Sequence, residues 1–281
     1  EMRIAPVSEP PKGRALPSPP AFSRMVDSIT FSVLLFGVVV SLIVYGAFVG
    51  AQSMGYNWQW YRIPAYFYTV TEDGFQWGEI CTGLVRTLML SGTAFTLAVV
   101  LGLIVTLLRL SGLVVGTGLA IGFLEAIRNI PLLVLLYLFY YVLGPVFTFD
   151  RYWASILCLA VFHAALISEI FRAGINAVPA GQWEAATSIG MSKIQAFRYI
   201  ILPQSIRFLL PPMTGEGVHM IKSSAIVSVI AVAELTTAGR NIISDTYMSF
   251  EIWFTIAAVY MVVTLILSFG VSVIERRYAV D

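Results

Sequence analysis

Six residues of types that can hold a ligand fall within stretches otherwise apolar enough to exclude water: Arg86, His163, Thr214, Glu216, Lys222 and Ser223. Ionisable side chains at membrane depth are costly, so they face a protein interior or an aqueous path, and each marks a candidate substrate contact. Arg86, in Gly83-Leu84-Val85-Arg86-Thr87-Leu88, offers a planar guanidinium that can grip a carboxylate with two hydrogen bonds. It can equally snorkel to the outer interface or pair with Glu79. Thr214-Gly215-Glu216-Gly217 follows Pro211-Pro212, which predicts a helix broken at membrane depth with donors and carbonyls free for a ligand. Glu216 and Lys222 are close enough in sequence to neutralise each other. His163 has no histidine or carboxylate at i+3 or i+4, so it reads as a hydrogen-bonded interior residue or a substrate contact, and no metal site is expected. Glu125 with Arg128 and Glu169 with Arg172 stand at i,i+3, the spacing of an ion pair along one helix edge, and suit gating or helix positioning.

The elements that position these groups follow from composition. Of 281 residues, 58% are hydrophobic and 12% charged, about half the charged fraction of a soluble domain, and the mean hydropathy is +0.83. The apolar residues fall in blocks of about 20, the length of a membrane-crossing helix. The ~10-residue alternation of an outer-membrane barrel is absent. The expected fold is all-α, a polytopic transmembrane helical bundle with six spans. Residues 1–25, rich in proline and basic residues, form a flexible tail. Residues 26–51 hold an extra first helix, longer than a signal-peptide core. Residues 52–82 form an external loop dense in Trp and Tyr, the ring types of membrane interfaces. The core runs over 83–277, with further spans near 84–108, 119–143, 152–171, 206–232 and 250–274, and 278–281 is a C-terminal tail. Cys81 and Cys158 form no ligand cluster and read as small buried hydrophobes.

Basic residues in the connections orient the chain. Arg3, Lys12, Arg14, Arg24, Arg109, Arg172, Lys193, Arg198, Arg207, Arg276 and Arg277 fall on the side of the N-terminus, against Arg62, Arg151 and Arg240 on the other. That bias places both termini in the cytoplasm. The net charge of +1 gives no field for nucleic acid.

The longest inner connection, Asn176 to Pro203, is too polar to cross a membrane. Pro179 and Gly181 end the preceding helix, and a new helix is expected over about 180–197, with Glu184 in its first turn favouring the positive end of the helix dipole. Trp183, Ala186, Gly190, Ile194 and Phe197 would share one face, and such a helix can dock into a groove on a partner. Glu184-Ala185-Ala186, Gly190, then Ile200, Leu202 and Pro203 resemble the EAA loop of ABC importer membrane subunits. Glu125-Ala126-Ile127-Arg128-Asn129-Ile130-Pro131, Glu169 to Ile175 and Leu202-Pro203-Gln204 are similar to the permeases of polar amino-acid importers. The likeness extends from about Gly83 to Arg277.

That resemblance implies a type I importer fold in a bacterial inner membrane and import of an amino acid. The implied partners are two nucleotide-binding ATPase subunits, a second permease that is the same chain or a paralogue, and an external solute-binding protein, all in contact with or beside membrane lipid. Trp183, Glu184, Ala185, Ala186, Gly190, Met191, Ile200, Leu202 and Pro203 would then couple to the ATPase, with cysteines at Ala186 or Met191 crosslinking to it. Gly190 would permit a bend and Pro203 would restart the chain towards the next span. Glu216, Lys222 and Ser223 match a polar run of the family. ATP and Mg belong to the partner, because the chain has no G-x-x-x-x-G-K-[ST] loop to cradle phosphates. Catalytic residues are not expected, since neither H-E-x-x-H nor G-x-S-x-G occurs. A secondary transporter or channel for small polar solutes is the competing class, and it has no use for a docking helix of this sequence. Arg86 tilts the cargo towards acidic or broadly polar L-amino acids.

Overall fold

The computed structural model describes residues 29–71 and 74–278. The tail expected over 1–25, with Arg3, Lys12, Arg14 and Arg24, lies outside the described residues, as do residues 279–281. The chain divides into two units, residues 1–57 and 58–281. In the first, α1 (Ile29–Ser53) is apolar on every side with its large side chains exposed, the pattern of a helix meant for lipid. The Ser53 hydroxyl donates to the Gly50 carbonyl (2.8 Å) and Gly55 turns the chain at φ +60°.

The second unit begins with structure where the sequence suggested only a loop. A 3₁₀ segment (Trp60–Tyr66) leads into β1 (Tyr68–Thr71), which pairs antiparallel with β2 (Gly74–Trp77), Tyr68 opposite Trp77. Aromatic cross-strand packing supports so short a ribbon: Phe75 stacks on Tyr68 and meets Trp77 edge-on. Trp58 and Trp60 stack on each other and pack on Phe250 and Phe254.

The bundle comprises α2 (Glu79–Leu110), α3 (Val114–Asn129), α4 (Leu132–Phe147), α5 (Arg151–Asn176), α6 (Ala180–Ser188), α7 (Lys193–Ile230), α8 (Leu235–Thr246) and α9 (Ser249–Tyr278). Four helices, α1, α2, α5 and α9, are long and apolar enough to cross a membrane alone, and the pairs α3/α4 and α7/α8 qualify as bent spans. The protein is thus a multi-pass α-helical membrane protein.

The third span departs from expectation. It is no straight crossing over 119–143, for α3 and α4 meet at 106°. Pro131 excludes the helical region for the residue before it, and Ile130 is extended at ψ 126°. A π turn at Leu138–Leu143 distorts α4 further. The fifth span differs as well. The expected break at 214–217 is absent, and the helix runs unbroken through Pro211 and Pro212 to Ser223. Thr214 donates its hydroxyl to the carbonyls of Leu210 and Pro211, whereas the carbonyls that lose an i→i−4 donor to the two prolines are those of Arg207 and Phe208. The break comes later, where Ser224–Ile230 tightens to 3₁₀ and Ala231 takes φ +55°. Arg240 and Arg151 donate to the carbonyls of Ser228 and Ala231 there, at 3.0 and 3.1 Å. Glu234 then caps α8, accepting from the backbone N–H groups of Thr236 and Thr237, the satisfaction an N-terminus requires. The sequence reading had no counterpart to α8.

The broadest helix contact joins α2 and α5. Small residues permit it: Ala94, Ala98 and Gly102 on α2 and Ala160, Ala164 and Ala165 on α5 are buried. Leu90, Leu136, Ile156, Leu159, Ile167 and Met220 fill the core around them. A Cβ at Gly102 would lie 2.8 Å from Ile167 Cγ2 and 3.0 Å from the Ala164 carbonyl oxygen. Gly102→Val is therefore expected to destabilise the bundle by about 1–3 kcal/mol through overpacking, lowering the detergent-state melting midpoint by roughly 3–10 °C. Gly122→Ala, where the Cβ meets open space, should not lower it and should raise it slightly through better helix propensity.

Candidate functional site

Two histidines of the bundle converge on one carboxylate. His163 of α5 is fully buried, and its Nδ1 lies 2.5 Å from Glu216 Oε1 on α7. One turn on, His219 Nδ1 stands 3.7 Å from Glu216 Oε2, and the two imidazole rings meet edge to face at 5.4 Å. The pairing expected between Glu216 and Lys222 does not form, because six residues place them about 120° apart around an α-helix. Lys222 is exposed and Ser223 half-buried. His163 is the hydrogen-bonded interior residue expected, with its partner supplied by another helix rather than by i+3 or i+4. Sequence reasoning missed His219, although its i,i+3 spacing from Glu216 was the available signal. His163 Nε2 and Ser91 Oγ are buried without a hydrogen-bond partner among the described residues.

Ser91, Thr214 and Gly217 line a cavity of about 690 Å³ whose other walls are apolar, among them Phe95, Met213 and Leu267. Arg86 is elsewhere. It lines a smaller polar pocket of about 270 Å³ with Glu79, Glu234, Thr237 and Asn241. Among the described residues no ion pair joins Arg86 to Glu79, and Arg86 is exposed.

A second convergence gathers the ends of three helices. Glu169 of α5 receives Arg109 of α2 at 2.6 Å and Arg172 of its own helix at 2.8 Å, with Arg128 of α3 at 3.8 Å. The expected pair of Glu125 with Arg128 is corrected. Glu125 is exposed and accepts from Asn129 Nδ2 (3.3 Å), while Arg128 turns to Glu169, where a less exposed carboxylate gives the stronger field.

The segment between α5 and α7 also differs from a single helix over 180–197. Helix α6 ends at Ser188, Gly190 turns the chain at φ +82°, and a new helix starts at Lys193. Ser192 and Gln195 close a reciprocal capping box there, an N-terminal signal in the sequence that the face-counting overrode. Glu184 lies in the second turn of α6, because the helix begins at Ala180, right after Pro179. Trp183 packs with Ile175, Val178, Phe197, Ile200 and Ile201, which mounts α6 on the bundle. Ala186 is buried at 2% exposure and so faces inward, Met191 is half-buried, and Glu184, Ala185, Gly190, Leu202 and Pro203 are exposed. Pro203 does not restart a chain. It sits inside the continuous α7, in the first turn of the regular run that begins at Leu202 after a π turn at Phe197–Ile201, where its fixed φ fits the helix. The outward face carries Ile189 and Ile194 at 74% and 80% exposure.

Comparison with known proteins gives this geometry a context. Residues 98–280 match the family described as binding-protein-dependent transport system inner membrane component. The chain is 35% identical over 196 residues to a probable glutamine ABC transporter permease protein of Bacillus subtilis (strain 168), covering 69% of this chain and 91% of that one. It is 29% identical over 240 residues to a glutamate/aspartate import permease protein of Escherichia coli (strain K12), covering 80% and 96%. The crystal structure of an amino acid ABC transporter with histidines superposes with a TM-score of 0.67 at 42% identity, covering 71% and 94%.

Proposed function

Because the chain belongs to the family of binding-protein-dependent transport system inner membrane components, we propose that it is the permease subunit of an ATP-driven importer of amino acids, with acidic and other polar L-amino acids as cargo. Two nucleotide-binding subunits carry out hydrolysis with ATP and Mg, a second permease completes the pathway, and an external solute-binding protein delivers cargo. The assembly sits in the bacterial inner membrane with both termini cytoplasmic, as the distribution of Lys and Arg favours. The observation that carries this reading is α6: a short helix fixed to the bundle by Trp183, flanked by exposed Ile189 and Ile194. A rigid element of that kind can pass a partner's movement to α5 and α7 and so switch the side to which the cavity opens.

Ser91 and Thr214 offer the cavity hydroxyls for the polar groups of a substrate. Arg86, in the separate polar pocket, offers a guanidinium for a carboxylate arriving from outside. The test is uptake into proteoliposomes holding the permease, its ATPase subunits and its binding protein. Glutamate uptake should require ATP and all components, and glutamate and glutamine should compete better than arginine. Arg86→Ala should lose acidic-substrate uptake about ten-fold, the worth of a partly exposed charge-assisted pair, with glutamine uptake less affected. Full uptake by this chain alone would favour a secondary transporter instead.

A further inference from the structure

We propose that His163, Glu216 and His219 form a binding site for a divalent transition-metal ion of the zinc type. Their donor atoms, one from each side chain, lie within 4.8 Å of one another, so modest side-chain rotation brings all three to a common centre at the ~2.0–2.2 Å that zinc requires of nitrogen and carboxylate oxygen. Glu216 already stands between the two imidazoles, with Nδ1 of each facing a different carboxylate oxygen. The rotation is available where it is needed: the His219 side chain is 56% exposed, whereas His163 is fixed at 0%. His163 comes from α5, and Glu216 and His219 from one turn of α7, so the metal would tie two helices together.

To ligate through Nδ1, His163 carries its ring proton on Nε2, a nitrogen with no hydrogen-bond partner among the described residues. Two imidazoles and one carboxylate suit zinc, cobalt or nickel over calcium or magnesium, which prefer all-oxygen shells. Three protein ligands leave a position open for water or for a carboxylate ligand, as in zinc sites that exchange a ligand. The single carboxylate offsets half the metal's charge, and a carboxylate at the open position offsets the rest.

The experiment measures zinc affinity of the purified complete assembly, tags removed, by competition with a chromophoric chelator. Expected is one ion per permease chain at micromolar affinity or tighter, weakened at least ten-fold by His219→Ala and by Glu216→Gln. Exposed His219 makes the first variant safe for folding, and the melting midpoint checks the second. Cobalt(II) added to the wild type should also give visible bands of a low-coordinate N/O site, absent from His219→Ala. Equal zinc affinity in wild type and both variants, or cobalt spectra unaltered by His219→Ala, would overturn the assignment. The readout involves no transport, so its failure leaves the importer reading standing, and failure of uptake leaves the metal site standing.

Discussion

Ile189→Asp combined with Ile194→Asp is expected to reduce ATP-dependent uptake about 100-fold or more while leaving the permease folded. Ile189 projects from the turn after α6 and Ile194 from the first turn of α7, at 74% and 80% exposure, and neither belongs to the cluster that seats Trp183. Burying an isoleucine against a partner contributes about 1.5–3 kcal/mol, so losing two removes roughly 3–6 kcal/mol of association. At about 1.4 kcal/mol per factor of ten, that weakens docking by two decades or more, and unpaired carboxylates in the contact add a desolvation cost. Exposed positions of this kind change monomer stability by only about 0.5 kcal/mol. The measurement is co-elution with the nucleotide-binding subunits alongside uptake. Retained co-elution with retained uptake would remove α6 and its turn as the coupling element. The buried state of Ala186 makes a cysteine there a poor crosslinking probe; cysteines at Ile189 and Ile194 are the informative positions.

What the sequence made legible was whatever depends on residues close together along the chain. Apolar blocks of membrane-spanning length located α1, α2, α5 and α9, because helix formation in lipid is set locally by backbone satisfaction. Bends were harder, since each depends on which of several local signals wins. Pro131 broke α3 from α4 by constraining Ile130, whereas the helix runs on through Pro211-Pro212 to Ser223. Side-chain partners were least legible. Arg109 and Glu169 are 60 residues apart in sequence, His163 and Glu216 53 apart, and only the packing of α5 against α2 and α7 brings them together. Counting i+3 and i+4 neighbours found Arg172 for Glu169 yet assigned Arg128 to Glu125, the wrong carboxylate. A strand pair as short as β1–β2 left a trace only in alternating aromatics, and these also fit an unstructured interface loop.

The convergence on Glu169 carries the second large effect. One carboxylate, 26% exposed, faces Arg109 at 25%, Arg172 at 38% and Arg128 at 50%. Glu169→Gln keeps the shape and some hydrogen bonding but leaves three guanidinium charges facing one another at the ends of α2, α3 and α5. Breaking a fully buried pair costs about 3–5 kcal/mol; partial exposure of these arginines discounts that to roughly 2–3 kcal/mol. For a chain of this size the melting midpoint should fall by roughly 5–10 °C. Because the defect is repulsion between partly exposed like charges, it should shrink in 1 M salt, where the screening length is about 3 Å. Adding Arg109→Gln to Glu169→Gln should recover part of the loss, since it removes the cation nearest the missing carboxylate. A merely steric role for Glu169 would give neither the salt response nor the recovery, and a double variant less stable than Glu169→Gln alone would refute the electrostatic account of how these three helix ends are held.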